Sequence, residues 1–175
     1  MKMVLLLRHA KSDWSDPMLA DFDRPLANRG FKDAPRMGEV LARFDCVPDR
    51  ILASPAKRAK QTTELVAQAC GYKKSVQWVD HFYGGASEDL IAALQDLPPN
   101  VERPLLVGHN PTMEETVADL LYTGDNGWSS DSAIRIPTAG LVCLELEDFV
   151  DWGNLEPGDA TLRWFLIPRL VKAIM

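Results

Sequence analysis

Cysteine is scarce in this chain, basic residues are outnumbered, and no apolar run approaches the length of a membrane span. Three cysteines occur, Cys46, Cys70 and Cys143, odd in number and far apart. That pattern supports neither a disulfide framework nor a metal-binding spacing. Three buried thiols in a reducing cytosol are the simplest expectation, which points to a cytoplasmic protein. Lysine and arginine total 19 against 25 acidic residues, a net charge of −6. General binders of nucleic acid or of anionic membranes are basic, so neither partner is expected. Crossing a bilayer needs roughly 20 apolar residues. The apolar stretch Val4 to Leu7 is also too short for a secretion signal, so the N-terminus is expected to belong to the fold.

What remains is ordinary globular composition, with 46% hydrophobic and 25% charged residues in 175. A chain this long buries about 70% of its surface on folding, enough for a core without staples. One domain spanning residues 1–175 is expected.

Short apolar strands alternate with amphipathic helices. Val4–Leu7 is a continuous apolar run, suited to a strand covered on both faces. Residues 10–27 are polar and contain proline, and read as a long loop. Phe31, Ala34, Met37, Leu41 and Phe44 recur at helical spacing, with Pro35 expected to kink the helix or to mark a restart near Asp33. Ile51–Ala53 reads as a strand. Ser54-Pro55 then resembles an N-cap followed by proline at the first helical position. That helix should reach Cys70 and stop at Gly71. Residues 76–79 suggest another strand, and Ser87 a cap for a helix to about Leu97. Leu105–Val107 is a third apolar strand, followed by a helix to about Tyr122. Ala139–Leu146 and Thr161–Ile167 read as antiparallel strands. The expected fold is α/β, three layers, with a mainly parallel central sheet and antiparallel C-terminal strands.

In such sheets ligands bind at the carboxyl ends of the strands. Arg8-His9 follow the first strand, Ser54 to Arg58 the second, and His109 the third. Two arginines and two of the three histidines should therefore converge. Arginine forks and helix N-termini bind tetrahedral anions, and histidine can serve as a covalent nucleophile. These four residues imply a phosphoryl pocket. Arg58 would lie in the first helical turn, where the helix dipole disfavours a cation unless an anion is present. Taken singly, His9 could cap a strand and His109 a helix. His81 reads as a surface or packing residue, and Lys57 and Lys60 as solvated. Trp14 lies where it could line the site, and Trp78, Trp128, Trp152 and Trp164 read as anchors.

The segments Leu7-Arg8-His9-Ala10, Ser54-Pro55-Ala56-Lys57-Arg58-Ala59-Lys60-Gln61-Thr62 and Gly108-His109-Asn110-Pro111 resemble those of the histidine phosphatase superfamily, whose fold is that of phosphoglycerate mutase. Residues 8–14 and 21–26 are similar to the small SixA-type phosphohistidine phosphatases. The resemblance implies attack by His9 on phosphorus, a phosphohistidine intermediate and its hydrolysis by water. It implies that Arg8, Arg58 and His109 bind the phosphoryl oxygens, with Arg24 either joining them or bridging to Asp21 or Asp23. A proton donor is implied at Asp21, with Glu88 as the alternative. No cofactor and no metal is implied. The expected partner is a phosphorylated protein or a small phosphorylated substrate. A metabolite phosphatase or mutase of the same superfamily, and a non-catalytic phospho-binding domain, are the competing expectations.

Overall fold

The computed structural model describes residues 1–121 and 134–174. Six strands form one sheet: β1 (Met3–Arg8), β2 (Arg50–Ala53), β3 (Gln77–Trp78), β4 (Pro104–Gly108), β5 (Leu141–Leu146) and β6 (Ala160–Leu166). Their order is β3-β2-β4-β1-β5-β6. β3, β2, β4 and β1 are parallel, while β5 and β6 pair antiparallel. Among the described residues five α-helices accompany the sheet: α1 (Asn28–Arg43), α2 (Lys57–Cys70), α3 (Ser87–Gln95), α4 (Thr112–Leu121) and α5 (Pro168–Ile174). Among the described residues, no helix is long and apolar enough to cross a membrane.

The strand side chains alternate between two cores, as the period of two requires. Val4, Leu6, Leu52, Leu106, Val142 and Leu144 face α3, α4 and the buried Trp152. Leu5, Leu7, Ile51, Ala53, Leu105 and Val107 face α1, α2 and α5. Central β1 therefore needs apolar residues at both parities, which is why it reads as an unbroken apolar run. Burying each of these leucines contributes about 1.5–3 kcal/mol. α1 and α2 approach closely at Gly38, where an added Cβ would lie 2.5 Å from the Val66 carbonyl.

The expected architecture is present, with local corrections. Pro35 does not mark a restart of α1, which begins at Asn28 and continues through it. The hydrogen bond forfeited there belongs to the carbonyl of Phe31, a residue on the exposed face, where water is an alternative donor. Ser54 is not a cap: α2 begins at Lys57 with Ala56 as its N-cap residue. Ser87 is the first residue of α3, and the Asp89 carboxylate accepts the Ala86 N–H at 2.9 Å instead. The strand expected over 76–79 is only Gln77–Trp78, and α5, unexpected from the sequence, closes the chain. Gly71 does end α2, at φ 77° in the left-handed region that glycine tolerates. The helix end expected at Tyr122 and the anchor role of Trp128 lie outside the described residues.

Candidate active site

β2, β4 and β1 are neighbours, so their carboxyl ends form one ledge. His9 N–H donates to the Gly108 carbonyl (3.0 Å) and Ser54 N–H to the Val107 carbonyl (3.0 Å). The three motifs, far apart in sequence, are thereby laid side by side. Thr62 on α2 locks them: its hydroxyl donates to the Arg58 carbonyl (2.7 Å) and accepts the Ala10 N–H (3.0 Å).

His9 is 7% exposed. Its Nδ1 lies 2.7 Å from the Ala10 carbonyl, which can only accept, so the ring proton sits on Nδ1. Nε2 then carries a lone pair, and Arg58 Nε–H donates to it at 3.3 Å. Burial above all, together with neighbouring His109 and the Arg58 and Arg8 guanidiniums, pushes the His9 pKa down to about 3, against the opposing Ala10 carbonyl. The imidazole is neutral at pH 7, as an attacking nitrogen must be.

Arg58 spends its remaining nitrogens on Asp21. Nη1 donates to the Asp21 carbonyl at 2.6 Å and Nη2 to its carboxylate at 2.9 Å. Tyr83 adds a hydroxyl hydrogen bond to the same carboxylate oxygen at 3.1 Å. Burial alone would raise the Asp21 pKa, but Arg58 and Tyr83 outweigh it and hold the carboxyl below its usual range. The Tyr83 ring packs edge-on against both Phe22 and His109. A 3-10 turn over Asp21–Asp23 thus lies against Arg58, its Asp21 carboxylate paired with the guanidinium.

Arg8 donates through Nη1 to the Ile136 carbonyl at 2.8 Å. Its pKa is lowered chiefly by burial, with Glu114 opposing and Arg58 adding to the shift. The Ile136 peptide is itself clamped, its N–H by Glu114 (2.8 Å) and its carbonyl by Asn110 (2.9 Å). His109 lies beside His9, ring centroids 5.0 Å apart, with Nε2 2.8 Å from Ser54 Oγ. Burial first, then Arg58, pushes its pKa down to about 4.

Arg24 is buried and stacks 4.1 Å over the Trp14 ring. It donates to the Asp16 carbonyl at 3.0 Å and forms no ion pair with Asp21 or Asp23. Its buried Nε has no partner among the described residues. Trp14 is 60% exposed beside it. Glu88 is exposed on α3, and among the described residues its carboxylate is hydrogen-bonded only by the Ser87 hydroxyl, at 3.4 Å. Of the two acid candidates, Asp21 is the one bonded into the cluster. His81, Lys57 and Lys60 are exposed. Among the described residues no group of three His, Cys, Asp or Glu could hold a metal ion. Tyr83, Glu114 and Asn110 were not singled out from the sequence as site residues. The Tyr83-Gly84-Gly85 turn was the one available signal for the first.

A neutral imidazole, the buried guanidinium of Arg58 and the half-buried one of Arg8 at adjoining strand ends make this an α/β protein with a site suited to a tetrahedral anion. Residues 4–82 match the model of the histidine phosphatase superfamily, branch 1. An uncharacterised protein of Mycobacterium tuberculosis is 34% identical over 167 residues, covering 93% of this chain and 100% of that one. A candidate phosphohistidine phosphatase SixA from Agrobacterium tumefaciens has 32% identity and a TM-score of 0.78, covering 95% of this chain and 98% of that one. A candidate SixA from Nakamurella multipartita reaches 0.81 at 25% identity, covering 95% and 96%. The chain belongs to the histidine phosphatase superfamily, and the expected SixA-type likeness is borne out.

Proposed function

We propose that this chain hydrolyses phosphohistidine in a protein substrate through a covalent phosphohistidine on His9, and that residues 1–175 act as one catalytic domain. The observation that carries the reading is the His9 ring: Nδ1–H tied to the Ala10 carbonyl, Nε2 facing the Arg58 guanidinium. A phosphoryl group replacing Asp21 on Arg58 would meet that lone pair directly.

In the first step the Nε2 lone pair forms a bond to phosphorus as the bond to the leaving nitrogen breaks. Arg8, Arg58 and His109 bind the equatorial oxygens, where charge concentrates. Arg24, with its free Nε, is the further cation at the rim. Asp21 supplies a proton to the leaving nitrogen. Beside Arg58 its carboxyl is ionised, which is the wrong state for an acid. Displaced by a dianion, it loses its cationic partner and gains a like charge, and both changes favour protonation. In the second step water attacks phosphorus, its proton passes to the Asp21 carboxylate, and the P–N bond to His9 breaks.

Support for a protein substrate comes from the approach to the site. Only residues 71–86 join α2 to α3, which leaves no long lid there to enclose a small metabolite. Trp14 and Met18 are exposed on the 10–27 loop, an apolar rim suited to a protein surface. A metal is not needed, since two guanidiniums repel a cation. Three free, buried cysteines suit a reducing, cytoplasmic setting.

The test pairs a phosphohistidine-bearing protein with sugar phosphates. Phosphate release from the former, with acid-labile phosphate on His9 that is lost in His9→Ala, is expected. Preference for sugar phosphates would favour the metabolite phosphatase, and slow hydrolysis of the phosphoenzyme would favour a mutase. Anion binding without any label would leave a phospho-binding domain.

A further inference from the structure

Ser54 is fully buried at the end of β2, and the capping role that its sequence position suggests is not the one it performs. Its Oγ accepts the Ala56 N–H at 3.3 Å and lies 2.8 Å from Nε2 of His109. These are its only side-chain partners among the described residues. The other ring nitrogen, Nδ1 of His109, is buried with no partner among the described residues.

Two proton arrangements fit the 2.8 Å contact, and they leave different groups unsatisfied. If Nε2–H donates to Ser54, the serine hydroxyl proton has no acceptor. Nδ1 then presents a bare lone pair in a pocket that must receive phosphoryl oxygens. Two groups are stranded, and one of them repels the ligand. If Ser54 instead donates to Nε2, the serine is satisfied as both donor and acceptor. The ring proton then sits on Nδ1, leaving one unpartnered donor beside two guanidiniums. A buried donor without an acceptor carries a desolvation cost that an anion relieves.

We propose that Ser54 is a positioning residue that fixes His109 as the neutral Nδ1–H tautomer, so that Nδ1 is the hydrogen-bond donor offered to the phosphoryl group. The same contact opposes formation of imidazolium. A proton on Nε2 would force the Ser54 hydroxyl to turn from donor to acceptor, with no other acceptor for its own hydrogen. His109 therefore contributes a neutral donor, and the positive charge at the phosphoryl group comes from the arginines. The proposal rests on the phosphoryl-site reading, but its readout does not require turnover.

Nitrogen-15 spectra of histidine-labelled protein distinguish the two tautomers directly. The expected spectrum assigns the protonated ring nitrogen of His109 to Nδ1, and that resonance moves on titration with inorganic phosphate. Ser54→Ala should shift the ring toward the Nε2–H tautomer and raise the His109 pKa. It should also weaken inorganic phosphate binding by about tenfold, the effect of one misdirected hydrogen bond to a charged group. Protonated Nε2 in the unsubstituted protein overturns the proposal, as does an unchanged tautomer in Ser54→Ala. Should Ser54→Ala fail to fold, the tautomer and phosphate response of the unsubstituted protein still decide. A protein with the Nδ1–H tautomer that ignores phosphohistidine would sink the proposed substrate and leave the role of Ser54 standing.

Discussion

Arg58 donates from Nε to Nε2 of His9 while both its Nη groups hold Asp21. One guanidinium thus faces the His9 lone pair and holds Asp21, the residue that an incoming phosphoryl group would displace under the proposed function.

Arg58→Lys should be far more damaging than its conserved charge suggests. An ammonium is a point charge and cannot face His9 and an oxyanion with separate, coplanar donors. We expect kcat/KM to fall by about 100-fold, or about 2.7 kcal/mol of transition-state stabilisation. Steady-state assays check this, and a change below fivefold would remove Arg58 from the machinery.

Asp21→Ala should separate binding from chemistry. With the competing carboxylate gone, inorganic phosphate should bind several-fold more tightly. Turnover of substrates with poor leaving groups should slow by roughly 10²-fold, in the range of lost general acid catalysis. Good leaving groups should be nearly unaffected. Equal slowing of both kinds would take the acid role away from Asp21.

His9 and His109 make stability fall with acidity. Their folded-state pKa values, about 3 and about 4, lie below the ordinary 6.5. Below pH 6.5 the unfolded chain takes up protons that the folded chain refuses. Stability is therefore full above pH 6.5 and declines as pH falls, by about 1.4 kcal/mol per pH unit for each ring. The decline from His109 stops near pH 4 and that from His9 near pH 3. Urea titrations from pH 7 to 4.5 should show a steeper loss for the native protein than for a His9→Gln, His109→Gln double variant.

Activity should persist in excess chelator. Arg8 and Arg58 supply the charge that a metal would bring. Loss of turnover on chelation, restored by zinc or magnesium, would contradict this.

Glu114→Ala should act at a distance from the anion. The carboxylate holds the Ile136 N–H, and the Ile136 carbonyl holds Arg8. Release of that peptide should raise KM for phosphorylated substrates about tenfold through a less ordered Arg8. Glu114→Gln keeps an oxygen acceptor and should recover most of the loss. Equal damage from both variants would point to charge rather than positioning.

The sequence by itself determined the α/β class and the four residues of the central cluster. Apolar runs at Val4–Leu7 and Leu105–Val107 announce buried parallel strands, and ligand-binding residues follow such strands at their carboxyl ends. Arg8 ends its strand, and His9, Arg58 and His109 lie one to five residues past theirs, so local order was enough to find them. Only the tertiary structure decided how they are wired. Tyr83 reaches Asp21 across 62 residues, Ser54 meets His109 across 55, and the Ile136 carbonyl meets Arg8 across 128. Those contacts depend on strand order and on the paths of loops, which no periodicity encodes. The continuous α1 through Pro35 has the same origin. Packing against α2 and the sheet outweighs a local penalty that the sequence displays and the fold absorbs.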